Sequence, residues 1–280
     1  MQNAPIDVER LTAPASFIRS LRGLPTAIVL AAVVALVLHG PIAQYADYHH
    51  FADSRAWLGI PNALDVLSNL GFAAIGAYGL CRIWPRRNDP VIVAGWPGFE
   101  LFLISLVLTA LGSAFYHLAP DDSRLIWDRL PIAFACAGLL AGVRAQAARN
   151  VNGAHLAGVL ALVAIASVVW WYASGVNGSG DLRPYLLLQA LPLVLIPLWQ
   201  WIYDAPRADR IAFATAIGLY VAAKVTELLD QQLFASLHWV SGHTLKHLLA
   251  TAAAAVIVVR LIRQADPSSP AQQLSASTRS

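Results

Sequence analysis

Long stretches of apolar residues recur along the whole sequence, with few charged residues inside them. A helix needs about 20 such residues to cross the roughly 30 Å of hydrocarbon in a bilayer. Proline and glycine stand between the stretches, where turns between helices are expected. The pattern predicts eight membrane-spanning helices, over residues 24–40, 62–84, 97–118, 125–146, 154–173, 184–203, 208–228 and 241–263.

The composition favours the same class of protein. Hydrophobic residues make up 58% of the 280 residues and charged residues 12%, against roughly 25% charged residues in a soluble domain. So little charge cannot cover a water-facing surface, which excludes a disordered chain and argues against a soluble enzyme. The net charge of +3 comes without a basic cluster among aromatic residues, so no nucleic-acid partner is expected. We expect an all-α, polytopic transmembrane helical bundle in a lipid bilayer.

The arginines indicate how the helices cross the membrane, because cytoplasmic loops are enriched in Lys and Arg. With the N-terminus inside, twelve arginines fall in cytoplasmic segments and four in or beside outward ones. Both termini are then expected in the cytoplasm, with residues 1–23 before the first helix and a disordered, Ser- and Gln-rich tail at 264–280. The first apolar stretch is expected to stay uncleaved, since its leading segment is long for a signal peptide.

Polar and ionisable residues gather in four sets at the predicted outward ends of the helices. Such residues are costly at membrane depth and need a partner or a purpose. The sets are His49, His50, Asp53, Asn62, Asp65, Ser68 and Asn69, then Ser113, Tyr116, His117, Asp128 and Arg129, then Lys224, Glu227 and Asp230, and last His243, Thr244, Lys246 and His247. Their convergence on one side of the membrane indicates a site there.

The histidines have the spacing of metal ligands. His243 and His247 are four residues apart, so their imidazoles lie on one helical face, one turn apart. His117, from another predicted helix, would complete a set of three. Three protein ligands and an open position are typical of catalytic zinc, whereas structural zinc has four ligands. The other interpretation, two histidines hydrogen-bonded at a helix end, stays open at this level.

Two further residues are candidates for chemistry beside the histidines. Ser113 shares a helical face with His117, although a serine is equally typical of close helix packing. Asp128 lies at the same predicted depth, where it could instead pair with Arg129 or cap a helix start.

The remaining polar and aromatic residues favour structural interpretations. The (i, i+3) spacing of Lys224, Glu227 and Asp230 predicts an internal ion-pair network rather than catalysis. Tryptophans near the span ends, Trp171 among them, are expected to be anchors at the membrane interface.

Together these residues resemble the signature motifs of the alkaline ceramidases. The resemblance is carried by Gly-Ser-Ala-Phe-Tyr-His at 112–117, by Asp-Arg-Leu-Pro at 128–131, and by His243-x-x-x-His247. Ser68-Asn69 is similar to a Ser-Asn pair of that family, which belongs to a wider membrane hydrolase superfamily including adiponectin-type receptors. The motifs match in order and spacing, over roughly residues 49–263.

The resemblance implies a fold and an activity. The fold is a seven-helix catalytic core at 49–263, here preceded by an extra N-terminal helix and loop at 24–48. The three histidines would hold Zn²⁺, while Asp128 and Ser113 would serve catalysis. The implied reaction is hydrolysis of a membrane lipid amide, ceramide in that family, to a sphingoid base and a fatty acid.

Two further features depart from the family pattern, besides the extra N-terminal helix. Eukaryotic relatives bind calcium through an acidic N-terminal motif, but the matching stretch 49–62 offers only Asp53 as a carboxylate. Since calcium takes six to eight oxygen ligands, Asp53, Asn62 and Asp65 are expected instead to brace the active site. Lys246 replaces a frequent aromatic residue, which would change the pocket mouth.

Other functions remain open at the level of sequence. A receptor or binding protein of the same superfamily would keep zinc with little turnover, and a hydrolase could act on another lipid amide or ester. A transporter would need polar sets that continue to the inward helix ends, and the sequence shows none. If the cell is bacterial, the protein is expected in the inner membrane with its site towards the periplasm.

Overall fold

The structure is a computed structural model that describes residues 21–266 except 149, 150, 177 and 179. Its described residues form helices and no β-sheet, as the apolar pattern predicts. The helices are α1 (Leu24–His39), α2 (Ala63–Leu67), α3 (Leu70–Ile83), α4 (Trp96–Leu118), α5 (Asp122–Ala147), α6 (Gly153–Val176), α7 (Arg183–Ile202), α8 (Arg207–Leu228), α9 (Asp230–Leu237) and α10 (Gly242–Gln264).

Eight helical stretches of the described chain are long and apolar enough to cross a membrane, counting α2 and α3 as one. The protein is therefore a multi-pass membrane protein, and the predicted fold class is confirmed. The observed ends differ from the predicted ones by up to three residues. Most of segment 1–23 and of the tail 264–280 lies outside the described residues, but Gln264 still belongs to α10 and is buried.

The second predicted span is not one continuous helix. It breaks at Ser68 and Asn69, between α2 and α3. The side-chain amide of Asn69 donates to the carbonyl oxygen of Asp65 (2.7 Å), which is the acceptor that a continuous helix would reserve for the Asn69 backbone. The backbone N–H of Asn69 bonds to Val66 instead. A short helix, α9, also occupies a stretch that the apolar pattern left without a helix.

Seven spans pack as a closed ring. Helix α4 lies between α3 and α5, α5 also contacts α6 and α7, α7 contacts α8, and α8 and α3 both contact α10. Helix α1 packs outside this ring against α7. The end of α4 and the starts of α5 and α10 meet at one end of the ring, which we call the site end. The other end, where α5 and α10 finish and α8 begins, is the far end.

A close backbone approach joins α4 and α5 at the site end. A Cβ on Gly112 would lie 1.9 Å from the carbonyl oxygen of Trp127, so only glycine fits there. Pro131, four residues after Trp127, lacks the N–H that this carbonyl would otherwise accept, and its ring crowds that carbonyl. The two features place Ser113 on α4 beside Asp128 on α5.

Candidate metal centre

Three buried imidazoles meet at the site end of the ring. His117 ends α4, and His243 and His247 lie one turn apart at the start of α10. The rings of His117 and His243 have centroids 4.8 Å apart, and those of His117 and His247 are 5.1 Å apart. His117 is fully buried, and the other two are nearly so. Nitrogen atoms from all three lie within 4.8 Å of one another, so the histidines can hold a metal ion.

The nitrogen positions fit a divalent ion. The Nε2 atoms of His117 and His243 are 3.2 Å apart. Two nitrogens bound to one tetrahedral zinc at about 2.0–2.1 Å lie about 3.3 Å apart. Among the described residues, no other group of His, Cys, Asp or Glu has a comparable arrangement. The predicted convergence of residue 117 with the 243/247 pair is therefore present in the fold.

Polar residues of the broken second span hold the ring of one histidine and the backbone of another. Ser68 Oγ lies 2.8 Å from Nδ1 of His247, which leaves Nε2 of that ring to face the centre. Asn62, just before α2, donates from Nδ2 to the carbonyl oxygen of His117 at 2.7 Å. Such contacts behind metal ligands fix ring orientation and tautomer. The break between α2 and α3 thus places a hydroxyl where it can reach the cluster.

A buried carboxylate fastens the start of α10. Thr244 Oγ1 donates to Oδ1 of Asp65 at 2.6 Å. Ser241 caps α10 by accepting from the Thr244 backbone at 3.0 Å. With Asn69 bonded to the Asp65 backbone, this polar layer sets the rotation of α10 and therefore the aim of its two histidines. The sequence predicted that Asp65 braces the site, but it did not identify Thr244 as the partner of Asp65.

Asp230 does not join the ion-pair network that its spacing predicted. Its Oδ1 accepts from the backbone of His243 at 2.7 Å, and its Oδ2 accepts from the backbone of Ala52 at 2.9 Å. It lies at the start of α9, beyond the break after α8, so it no longer shares the face of Lys224 and Glu227. Asp230 instead ties the loop before α2 to the first turn of α10.

Glu227 carries an ion pair on either side. It pairs with Lys224, as the spacing predicted, and accepts from Nζ of Lys246 at 3.0 Å. Lys246 Nζ also lies 3.0 Å from Nε2 of His243, a nitrogen that faces the other two imidazoles. An ammonium group thus stands at the edge of the candidate metal centre. The family resemblance implied an effect of Lys246 on the pocket mouth, but it did not imply a contact with a histidine.

Asp128 and Ser113 are both buried and interact through their side chains. The helix-cap alternative for Asp128 does not hold, because Asp121 caps α5 by accepting from the Arg124 backbone at 2.8 Å. The pairing alternative does not hold either, since the ion pairs of the described chain do not include Arg129. Asp128 is therefore a buried carboxylate that interacts with the side chain of Ser113, on the His117 helix.

Asp53 lies in the loop before α2 and not at the histidines. Hydrogen bonds from the Arg55 side chain, at 2.7 Å to each carboxylate oxygen, lower the pKa of Asp53. Arg55 also donates to the carbonyl oxygens of His238 and Trp239, just before α10. The pair links the loop before α2 to the segment before α10. Asp53 therefore braces the site indirectly, through Arg55.

Aromatic rings close the cluster on one side. Phe51 has its centroid 4.7 Å from that of His117 and 4.4 Å from that of His243. The Tyr116 hydroxyl lies 2.9 Å from Nδ1 of His49. These rings restrict water around the imidazoles. Sequence reasoning named the neighbouring histidines, but no periodic signal pointed to Phe51, which lies in a loop.

Comparison of the chain with protein-family models, with curated proteins and with solved structures finds no match in any of the three. The residues and their arrangement are therefore the grounds on which a function can be argued.

Proposed function

We propose that the protein is an integral-membrane, zinc-dependent amidase that hydrolyses a lipid amide. The observation that carries the proposal is the meeting of three buried imidazoles, one of which, His117, lies one helical turn after Ser113, the partner of the buried Asp128. Three neutral nitrogen ligands with one open position are typical of catalytic zinc. The resemblance of the motifs to those of alkaline ceramidases agrees with this interpretation and names ceramide as the first substrate to test.

His117, His243 and His247 would hold the ion. A zinc ion there would supply Lewis acidity towards an amide carbonyl and towards water. The ring of His247 is already bonded to Ser68 at Nδ1, and Asn62 holds the backbone carbonyl of His117. The chain thus holds its ligands in place before an ion binds, which reduces the cost of assembling the site.

Asp128 is the proposed general base and acid. Its carboxylate would accept a proton from the attacking water and later give it to the leaving amine. Ser113 interacts with that carboxylate, so its hydroxyl would hold Asp128 in orientation. Phe51 and the surrounding helices would keep bulk water away, which strengthens each of these electrostatic contacts.

The position of the site suits an amide with long apolar tails. It lies near the ends of membrane-spanning helices, where a lipid presents its head group while its tails stay in hydrocarbon. From the distribution of arginines we propose that this end faces outwards and that both termini are cytoplasmic. In a bacterial cell the site would then face the periplasm.

The proposal is tested with purified protein in lipid nanodiscs. Zinc is measured by mass spectrometry of the metal, and sphingoid base and fatty acid are measured after incubation with ceramide, with and without chelator. We expect one zinc per chain and activity that chelator removes and zinc restores. His117→Ala should lose zinc and activity together, whereas Asp128→Asn should keep zinc and lose about 10²–10⁴-fold in rate.

Two results would contradict the proposal. The first is full activity and full zinc content in His117→Ala. The second is product formation that does not need Asp128. A protein that binds zinc but forms no product would instead favour a receptor or binding protein with a structural ion. A matched control is His155→Ala, which changes an exposed histidine of α6 and should alter neither zinc nor rate.

A further inference from the structure

Arg129 lies beside the candidate catalytic residue in a cage of aromatic rings. Its guanidinium carbon is 4.0 Å from the ring centroid of Trp171, 5.0 Å from that of Tyr48 and 5.4 Å from that of Tyr185. The residue is 2% exposed. Trp171 is itself buried, and so does not serve as the interface anchor that its place near a span end predicted. These rings come from three separate segments of the chain.

Among the described residues, no carboxylate forms an ion pair with the Arg129 guanidinium. Nε and Nη1 of Arg129 are buried and have no hydrogen-bond partner within the described part of the chain. Cation–π contacts offset part of the desolvation of an arginine, but they leave its N–H donors unsatisfied. A buried charge without a counter-charge is strongly unfavourable, and an intramembrane arginine normally finds a partner.

Other arginines in this protein show the usual solution. Arg183 donates to both carboxylate oxygens of Asp181 and to the carbonyl oxygen of Leu36. Arg260 pairs with Asp209. Each of these guanidinium groups is matched by an acid of this chain. Arg129 is more buried than either of them, so its open donors mark a place for an anion that the chain does not supply.

The open donors lie next to the proposed reaction centre. Arg129 follows Asp128 directly on α5. Tyr48, one wall of the cage, has its ring centroid 6.0 Å from that of His49, whose Nδ1 lies 2.9 Å from the hydroxyl of Tyr116, the residue before His117. An anion bound at Arg129 would therefore be part of a molecule that reaches the histidines.

We propose that Arg129 binds an anionic group of the substrate, a carboxylate or a phosphate, carried on the amine side of the lipid amide. The substrate class is then an acidic lipid amide, such as an N-acyl amino acid or a phosphorylated ceramide, in preference to neutral ceramide. The inference that this lipid is a substrate rests on the proposed amidase function. The binding of the anion itself does not depend on turnover.

The test compares lipid amides that differ in one group. N-palmitoylglycine is paired with N-palmitoylethanolamine, and ceramide phosphate with ceramide, so that carboxylate and phosphate are separate arms. We expect wild-type protein to favour the acid of at least one pair by about tenfold or more in kcat/KM. Arg129→Gln should lose that preference, chiefly through a higher KM. Arg129→Lys, which keeps the charge, should retain part of it.

A second readout does not depend on catalysis. Binding of the same lipids is followed by the thermal stabilisation they give to Asp128→Asn protein in detergent. The acid should raise the unfolding temperature more than its neutral partner, and Arg129→Gln in that background should abolish the difference. If the acids bind selectively but no amide is cleaved, the proposed function fails and the anion site stands.

Three outcomes would overturn the inference. One is equal binding of acid and neutral lipid by the protein with Arg129 intact, a comparison that needs no variant at that position. Another is an acid preference that survives in Arg129→Gln. The third is an Arg129→Lys protein that unfolds at the wild-type temperature but prefers the acidic lipids no more than Arg129→Gln does.

Discussion

The polar clusters at the two ends of the helical ring are built in opposite ways. At the far end, Asp209 accepts from Arg260 and, at 2.7 Å, from Gln264. Gln264 in turn accepts from Gln146, which also donates to the Val91 carbonyl oxygen. The carboxylate, guanidinium and amides of this far-end cluster bond to one another across four segments of the chain.

The site-end cluster leaves polar atoms unused. Buried atoms without partners in the described chain include Nδ1 of His117, Oδ2 of Asp65 and two nitrogens of Arg129. The far end has one such atom, Nη1 of Arg144, and that guanidinium lies 5.3 Å from the ring centroid of Tyr203. Both ends contain arginines and buried acids, although the sequence pattern indicated no polar set at the inward ends, and the three clustered histidines lie at the site end.

The difference separates polar groups that hold the fold from polar groups that await a ligand. A buried donor or acceptor without a partner costs stability, and such groups persist where binding or catalysis uses them. We therefore expect changes at the far end to act on stability, and changes at the site end to act on ligands. Four predictions test this contrast, from the largest effect to the smallest.

His243→Gln should weaken zinc binding about 10²–10⁴-fold, since one of three ligands is lost from an apparent binding free energy of about 10–16 kcal/mol. The metal-free protein should unfold at nearly the wild-type temperature, because glutamine has a similar volume and keeps the backbone N–H that donates to Asp230. Competition with a chelator measures the affinity, and His155→Gln is the matched control. Unchanged affinity would remove His243 from the centre.

Asp209→Asn should have the opposite profile. Breaking a buried ion pair and leaving Arg260 without its acid costs about 3 kcal/mol of unfolding free energy. Zinc content should stay at the wild-type value, because the far-end cluster and the histidines lie at different ends of α10. Circular dichroism in detergent follows the unfolding. A loss of zinc without a loss of stability would reverse the contrast.

Lys246→Met should tighten zinc binding about tenfold, or about 1.4 kcal/mol. Its ammonium lies 3.0 Å from Nε2 of His243, so a bound cation must displace it and then meets its charge. The matched control is Lys224→Met, which removes a cation from the same glutamate without touching a histidine. Chelator competition at fixed pH measures both. Weaker binding in Lys246→Met would contradict this prediction.

We expect the smallest effect on stability from Asp53, and only at acidic pH. Its folded-state pKa is lowered by Arg55, so the pair stabilises the protein above the unfolded pKa of about 3.9 and this contribution disappears as the pH falls through the folded value. The unfolding temperature should fall below about pH 4, and less steeply in Asp53→Asn. Equal slopes for the two proteins below pH 4 would contradict the assignment.

The apolar pattern was enough to predict the membrane-spanning helices because each span must satisfy its backbone hydrogen bonds within itself. It was not enough to predict the break at Ser68 and Asn69. That break follows from a side-chain amide competing for the Asp65 carbonyl, a local choice that apolar periodicity does not record. Helix α9 was missed because its eight residues are too short and too polar to register as a span.

The sequence by itself determined the class of fold and the residues that could bind a metal, because hydropathy and helical spacing are properties of neighbouring positions. Spacing brought His243 and His247 together within one helix, and the motif resemblance selected His117. The tertiary structure alone decided the interaction partners of the polar residues. Asp230 bonds to the His243 backbone, Lys246 contacts the His243 ring, and Arg129 packs in an aromatic cage and does not pair with Asp128. Such pairings depend on how distant helices are rotated against one another. Close contacts, such as that of Gly112 with Trp127, set this rotation, and no local sequence pattern encodes it.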